Sequence, residues 1–167
     1  QDFFFFFPNQ KWAGDTSYIW TSEGWLYLAV ILDLYSRRVI GWAVSNRMKR
    51  DLAIQALDMA VALRQPPKGC IHHTDRGSQY CSGDYQKRLS KHGFEVSMSG
   101  KGNCYDNSMV ETFFKSLKAE LIWRNRWETR RQAEGAIFQY INGFYNPRRR
   151  HSSLGGKSPL AFERKAA

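Results

Sequence analysis

The chain has 167 residues, enough for one domain with a proper hydrophobic core. Its 43% apolar and 24% charged residues exclude a disordered chain, and no apolar stretch reaches the ~20 residues needed to span a bilayer. The net charge of +10 is uneven, with Arg124, Arg126, Arg130, Arg131, Arg148, Arg149, Arg150, Arg164 and Lys165 all in the last third, which favours a polyanionic partner.

Phe3 to Phe7 is an aromatic run with no basic flank before it and Pro8 after it. It reads as a connecting segment or truncation edge rather than a signal peptide. Residues 1–9 are therefore expected to lead into a folded unit, 10–167, that ends in a basic tail, with a further domain upstream. Trp12 to Trp20 predicts a first strand, turning at Thr21-Ser22-Glu23-Gly24. Residues 25–32 are continuously apolar, which suits a strand buried on both faces, and Arg38 to Val44 predicts a third. Short turns between them make an antiparallel meander. Leu52, Ala56, Leu57, Ala60 and Leu63 then recur at helical spacing, with Asp51 as cap and Pro66-Pro67 as stop.

Cys70 to His73 predicts a short strand, Ser82 to His92 a helix capped by Ser82 and ended by Gly93, and Phe94 to Met98 a fifth strand. The Gly100-Lys101-Gly102 loop precedes a helix carrying Glu111. Two glycines in three residues allow many backbone states, so the loop is expected to order on binding. A last helix runs from about Thr129, which with Gln132 forms a capping box, to about Asn146, stopped by Pro147. This order describes an α/β layer fold, a mixed five-stranded sheet flanked by helices. Cys70, Cys81 and Cys104 form no Cys-x-x-Cys pair. They read as small packed residues in a reducing compartment.

Three acids stand out. Asp15 falls in a strand that should lie centrally, where a carboxylate is costly unless paired, hydrogen-bonded or bound to metal; the alternative is a turn cap. Asp75 ends a strand just before Gly77, a place where open α/β sheets bind ligands; the alternative is an Asx-turn. Glu111 either closes a capping box with Ser108 or, if Asp106 or Asn107 caps the helix, lies in its first turn with the side chain free. Val110, Phe114, Leu117 and Leu121 form the apolar stripe, and Glu111, Lys115 and Lys118 share the neighbouring face. Carboxylates from two strands and a helix can hold two hard divalent cations and support in-line phosphoryl transfer. Of the rival acids, Asp33 suits a brace for the Ser36-Arg37 turn and Asp106 a helix cap. His72 and His73 face opposite ways on a strand, so they cannot both enter one site and one should be packed. Arg148, Arg149 and Arg150 follow Phe144-Tyr145, a setting that suits phosphate contact.

Several strings together resemble a known family. They are Trp12-x-x-Asp15-x-x-Tyr18-Ile19, Tyr27-Leu28 to Asp33-x-x-Ser36-Arg37, and Gly41-Trp42. They continue with His73-Thr74-Asp75-Arg76-Gly77-Ser78-Gln79-Tyr80 and Ser97-Met98-Ser99-x-Lys101-Gly102-Asn103-Cys104-x-Asp106-Asn107. Glu111-x-Phe113-Phe114-Lys115-x-Leu117-Lys118-x-Glu120 and Tyr145-Asn146-x-x-Arg149-x-His151-Ser152-x-Leu154 to Pro159 complete the set. Over residues 9 to 163 the sequence resembles the integrase core of bacterial insertion-sequence DDE transposases, encoded across two overlapping reading frames and related to retroviral integrases. The resemblance implies a ribonuclease-H-like fold and makes Asp15, Asp75 and Glu111 a catalytic, metal-binding triad for two Mg²⁺ or Mn²⁺ ions. It implies cleavage and transfer of double-stranded DNA at element ends and target, by a homo-oligomer in the cytoplasm, at the nucleoid when DNA-bound. Lys101, Lys115, Lys118 and Arg148 to Arg150 are the expected DNA contacts. Phe3 to Phe7 and Gly100 depart from the family pattern, and a helix-turn-helix region is expected upstream. A ribonuclease-H-like host nuclease and an inactive DNA-binding remnant are the alternatives.

Overall fold

A computed structural model describes residues 5–74, 82–98 and 104–166. Strands β1 (Lys11–Thr21), β2 (Gly24–Asp33) and β3 (Val39–Ser45) form the antiparallel meander, with Asp15 opposite Val30 and Trp20 opposite Trp25. Helix α1 (Arg50–Arg64) crosses over to β4 (Ile71–Thr74), which lies parallel to β1. Helix α2 (Gly83–Lys91) leads to β5 (Glu95–Met98), parallel to β4. The sheet order is β3-β2-β1-β4-β5, so β1 is central, as the element order anticipates. Helices α3 (Cys104–Glu120), α4 (Arg130–Gln139) and α5 (Pro159–Ala166) follow. None of the described helices is long and apolar enough to cross a membrane.

Strand alternation divides the core between the two faces of the sheet. On one face Ala13, Leu28 and Val30 pack with Phe113, Leu117 and Ile137. On the other, Trp12, Ala29 and Ile31 pack with Leu52, Leu57 and Leu89. Because both faces are covered, β2 reads as an unbroken apolar run.

Helix ends differ from expectation in three places. Helix α1 begins after Lys49, which makes no side-chain cap; Asp51 sits in the first turn, where its charge complements the helix dipole. Helix α3 begins at Cys104, so Asp106, Asn107 and Ser108 all lie inside it and Glu111 falls in its second turn. Helix α4 is capped by Thr129, whose hydroxyl accepts from Gln132 N at 3.0 Å, but the returning Gln132 Oε1 accepts from Glu128 N, one residue before the cap. The helix then widens into a π-helical stretch, Tyr140–Tyr145. Ser82 caps α2 as expected, accepting from Tyr85 N at 3.3 Å, and Gly93 follows with φ of 76°.

The segment anticipated as a basic tail is folded onto the core. Asn146 clasps the backbone of Val39, accepting from its N and donating to its O, both at 2.9 Å. Glu163 on α5 accepts from Arg64, Arg38 and the hydroxyl of Ser36. Arg64 also donates to Asp33 Oδ2 at 2.5 Å and, through Nε, to Asn9 Oδ1 at 3.0 Å. Burial opposes the Glu163 charge, yet the bonds from Arg64, Ser36 and Arg38 prevail and hold its carboxyl below the ordinary range. Asp33 is fully buried and also accepts from Tyr35 N at 3.0 Å, so it braces the following turn.

Candidate active site

Asp15 lies mid-strand in β1, which removes the turn-cap reading. It shares the parity of Ala13 and Ile19, whose side chains belong to the core beneath α3. Its carboxylate is half-buried, and Oδ1 accepts from Thr16 N at 2.7 Å. β1 pairs with β4 only over Lys11 to Gly14, so among the described residues no strand covers this edge of β1 from Asp15 onward.

On α3, Val110, Phe113, Phe114 and Leu117 are buried, which turns Glu111 and Lys115 outward and leaves Lys118 half-buried. The Ser108 carbonyl accepts from Thr112 Oγ1 at 2.8 Å within the helix, so Ser108 is not a cap and Glu111 closes no capping box. Asp15, Glu111, Lys115 and Lys118 line one open cleft of about 370 Å³, with Phe114 and Trp123 as apolar walls. Two carboxylates and two ammonium groups thus share a single recess.

Asp75 follows Thr74, the last residue of β4, and lies outside the described residues, as do Lys101 and the Gly100-Lys101-Gly102 loop. Among the described residues no group of three His, Cys, Asp or Glu side chains is placed to hold a metal ion. Both histidines of β4 are fully buried, where one packed histidine was expected. His72 Nε2 shares a 2.5 Å hydrogen bond with Tyr85 Oη, and burial pushes its pKa down to about 3. His73 lies on the opposite face, with Nδ1 3.1 Å from Ser97 Oγ.

Arg148 and Arg150 are exposed. Arg149 instead turns inward as a bidentate partner of Glu120, with Nη2 to Oε2 at 2.7 Å and Nε to Oε1 at 2.9 Å. Tyr140 Oη donates to the same carboxylate at 2.7 Å. The Arg149 hydrogen bond holds Glu120 below the usual carboxylate range. Arg149 is therefore a structural cation, set apart from the phosphate contacts expected of its neighbours.

A larger recess of about 690 Å³ adjoins the cleft, lined by Tyr18, Trp20, Trp25 and Trp123 together with Lys118 and Arg126. Sequence reasoning missed it. Tyr18 and Trp20 are two apart on one strand, and Trp25 and Tyr27 two apart on the next, across a tight turn. That period-two spacing puts four rings on one face of the hairpin and was the available signal.

Residues 7–104 match a family model described as an integrase core domain, and residues 111–166 match a second model with the same description. The chain belongs to the integrase core family. It is 54% identical over 165 residues to the transposase InsF for insertion sequence IS3A of Escherichia coli (strain K12), covering 99% of this chain and 57% of that protein. It is 48% identical over 158 residues to an uncharacterized 31 kDa protein of insertion element IS600 from Shigella sonnei, covering 95% of this chain and 58% of that protein. The chain therefore spans little more than half the length of these relatives. Among solved structures, the simian T-cell lymphotropic virus intasome bound to PP2A regulatory subunit B56 gamma superposes with a TM-score of 0.74 at 20% identity, over 96% of this chain and 56% of that chain. The HTLV-2 integrase catalytic core domain in complex with magnesium, in its trimeric form, gives 0.69 at 18% identity, over 94% of this chain and 97% of that one. At such identities the likeness concerns the fold, which is ribonuclease-H-like. In this integrase core the first matched stretch ends where α3 begins, at Cys104, and the second begins at Glu111.

Proposed function

We propose that this integrase core is the catalytic part of an insertion-sequence transposase, cleaving and joining DNA strands with the help of divalent metal ions. The observation that carries the reading is the meeting of Asp15 and Glu111 in one open cleft beside Lys115 and Lys118. Carboxylate oxygens are hard donors suited to Mg²⁺ or Mn²⁺, so the residues present fit such ions, and Asp15, Glu111 and Asp75 would hold two of them. Bound there, the ions supply Lewis acidity that activates a water or a DNA 3′-hydroxyl and stabilises the leaving 3′ oxygen. No side chain is required as a covalent nucleophile.

Lys115 and Lys118 lie one and two turns beyond Glu111, so they reach phosphates flanking the scissile one, a contact that weakens with salt. The reading also expects phosphate contacts from Lys101, which lies outside the described residues, and from the exposed Arg148 and Arg150. The reading includes a multimer of the chain on element ends and target DNA, acting in the cytoplasm at the nucleoid.

The test is cleavage and strand transfer on element-end duplexes in Mg²⁺, with an RNA–DNA hybrid offered in parallel. Glu111→Gln should lower turnover by more than about 100-fold while leaving duplex affinity intact, since it removes a metal ligand and not a phosphate contact. Calorimetric titration should show weaker Mn²⁺ binding by the same variant. Near-normal cleavage by Glu111→Gln would overturn the assignment, and cleavage confined to the hybrid would make the protein a ribonuclease.

A further inference from the structure

The recess beside the cleft has a composition that the carboxylate site does not explain. Tyr18, Trp20, Trp25 and Trp123 are 54%, 59%, 41% and 71% exposed, so four large rings face solvent together. The three on the hairpin are nevertheless ordered against one another. Tyr18 and Trp25 meet edge-on with ring centroids 5.0 Å apart, and Trp20 and Trp25 do so at 4.9 Å. Cations are interleaved with them. Lys118 Nζ stands 5.8 Å from the centre of the Tyr18 ring, and Arg124 and Arg126 line the same recess. Among the described residues no carboxylate lines it. Lys118 and Trp123 border both the recess and the cleft, so the two are continuous.

Exposed π faces beside phosphate-binding cations suit one kind of ligand. In a duplex the bases are stacked and paired, offering no free face to a ring. An unpaired nucleotide offers both a face to stack and a phosphate to neutralise. A second copy of this chain would bring another +10 charge against a basic surface. We infer that the aromatic recess is a subsite for unpaired nucleotides of the DNA strand that runs on from the bond held at Asp15 and Glu111. The position along the strand rests on the proposed function; the preference for single strands rests on the recess alone.

The experiment measures fluorescence anisotropy of a labelled thymidine oligonucleotide and of a duplex of equal length, both in EDTA so that no chemistry intervenes. Trp123→Ala should weaken single-strand binding about tenfold and leave duplex binding within about twofold, the size expected for one lost stacked base. Trp123→Phe should restore most of the affinity, because a ring is kept. Phe138→Ala, at a 50% exposed ring on α4 that lines a different pocket, should change neither. Equal losses for single strand and duplex, no loss with Trp123→Ala, or a change in sedimentation with unchanged DNA affinity would each overturn the proposal. The last outcome would mark the recess as a protein interface. Cleavage in Mg²⁺ is scored separately. Absent cleavage with this binding pattern would defeat the catalytic reading and leave the subsite standing; intact cleavage without the pattern would do the reverse.

Discussion

His72 is enclosed in the core with Tyr85, and burial lowers its pKa from 6.5 to about 3. His151 falls to about 4, through burial first and then the positive charges of Arg149 and Arg37. Between pH 6.5 and these values the unfolded chain binds protons that the folded chain refuses, so stability is full above pH 6.5 and declines as pH falls. One such group contributes up to about 1.4 kcal/mol per pH unit. Glu120 and Glu163, held below their usual range, act in the same direction at lower pH, because their ion pairs are lost as they protonate. His72→Gln should therefore flatten the dependence of unfolding free energy on pH between about 6 and 4.5 by nearly one proton. Urea titrations across that range measure the slope, and an unchanged slope would mean that His72 is already charged in the native state. The local contexts of Asp15 and Glu111 marked them in the sequence, because each sits at a position whose bland alternative needs a turn or a cap. Arg149 was not legible in this way. Its partner, Glu120, lies 29 positions earlier, and nothing local distinguishes it from Arg148 or Arg150.

Helix α1 lies close against β3 because Gly41 faces Ala56 and Ala60. A Cβ at position 41 would stand 2.2 Å from the Ala56 carbonyl oxygen and 2.9 Å from Ala60 Cβ, so one element would have to move. Gly41→Ala should cost about 1–3 kcal/mol by overpacking. Gly135, exposed on α4, has nothing within 4 Å of its would-be Cβ. Gly135→Ala should stabilise by about 0.5–1 kcal/mol, since only backbone entropy changes. Thermal denaturation of the pair checks both signs, and a stable Gly41→Ala would refute the close approach. At this scale the sequence spoke through periodicity, so all five strands, α1, α2 and the helix running to Tyr145 were legible within a residue or two, whereas α3 begins at Cys104, ahead of the caps read at Asp106 to Ser108. Ala133, Ile137, Tyr140, Ile141 and Tyr145 keep helical spacing through the π-helical stretch, so the pattern hides the widened turn. Helix α5 was missed because it spans only eight residues, and its one long-range anchor, Glu163, looks like any surface acid.

Across the whole molecule, Arg64 joins four distant parts of the chain: Asn9, the end of β2 at Asp33, the end of α1, and Glu163 on α5. Its side chain is only 10% exposed, and that of Asp33 is fully buried. Removing the guanidinium would strip the buried Asp33 of its ion-pair partner, leaving it the backbone N–H groups of Asn9 and Tyr35, while Glu163 would keep Arg38 and Ser36. Arg64→Met should destabilise by about 3–5 kcal/mol, measured by urea unfolding at neutral pH. A loss below about 1 kcal/mol would show that the cluster is open to solvent.

The same junction bears on geography. Residues 9 and 163 touch one side chain, so Asn9 and α5 are tied to the body at a single pole. That pole lies where Trp12 stands opposite Asp33, while the aromatic recess lies where Trp20 stands opposite Trp25. At ~3.4 Å per residue the two points are roughly 27 Å apart along β1. The hairpin therefore spans the body like a boom, moored at one end by the Arg64 junction and carrying the aromatic recess at the other.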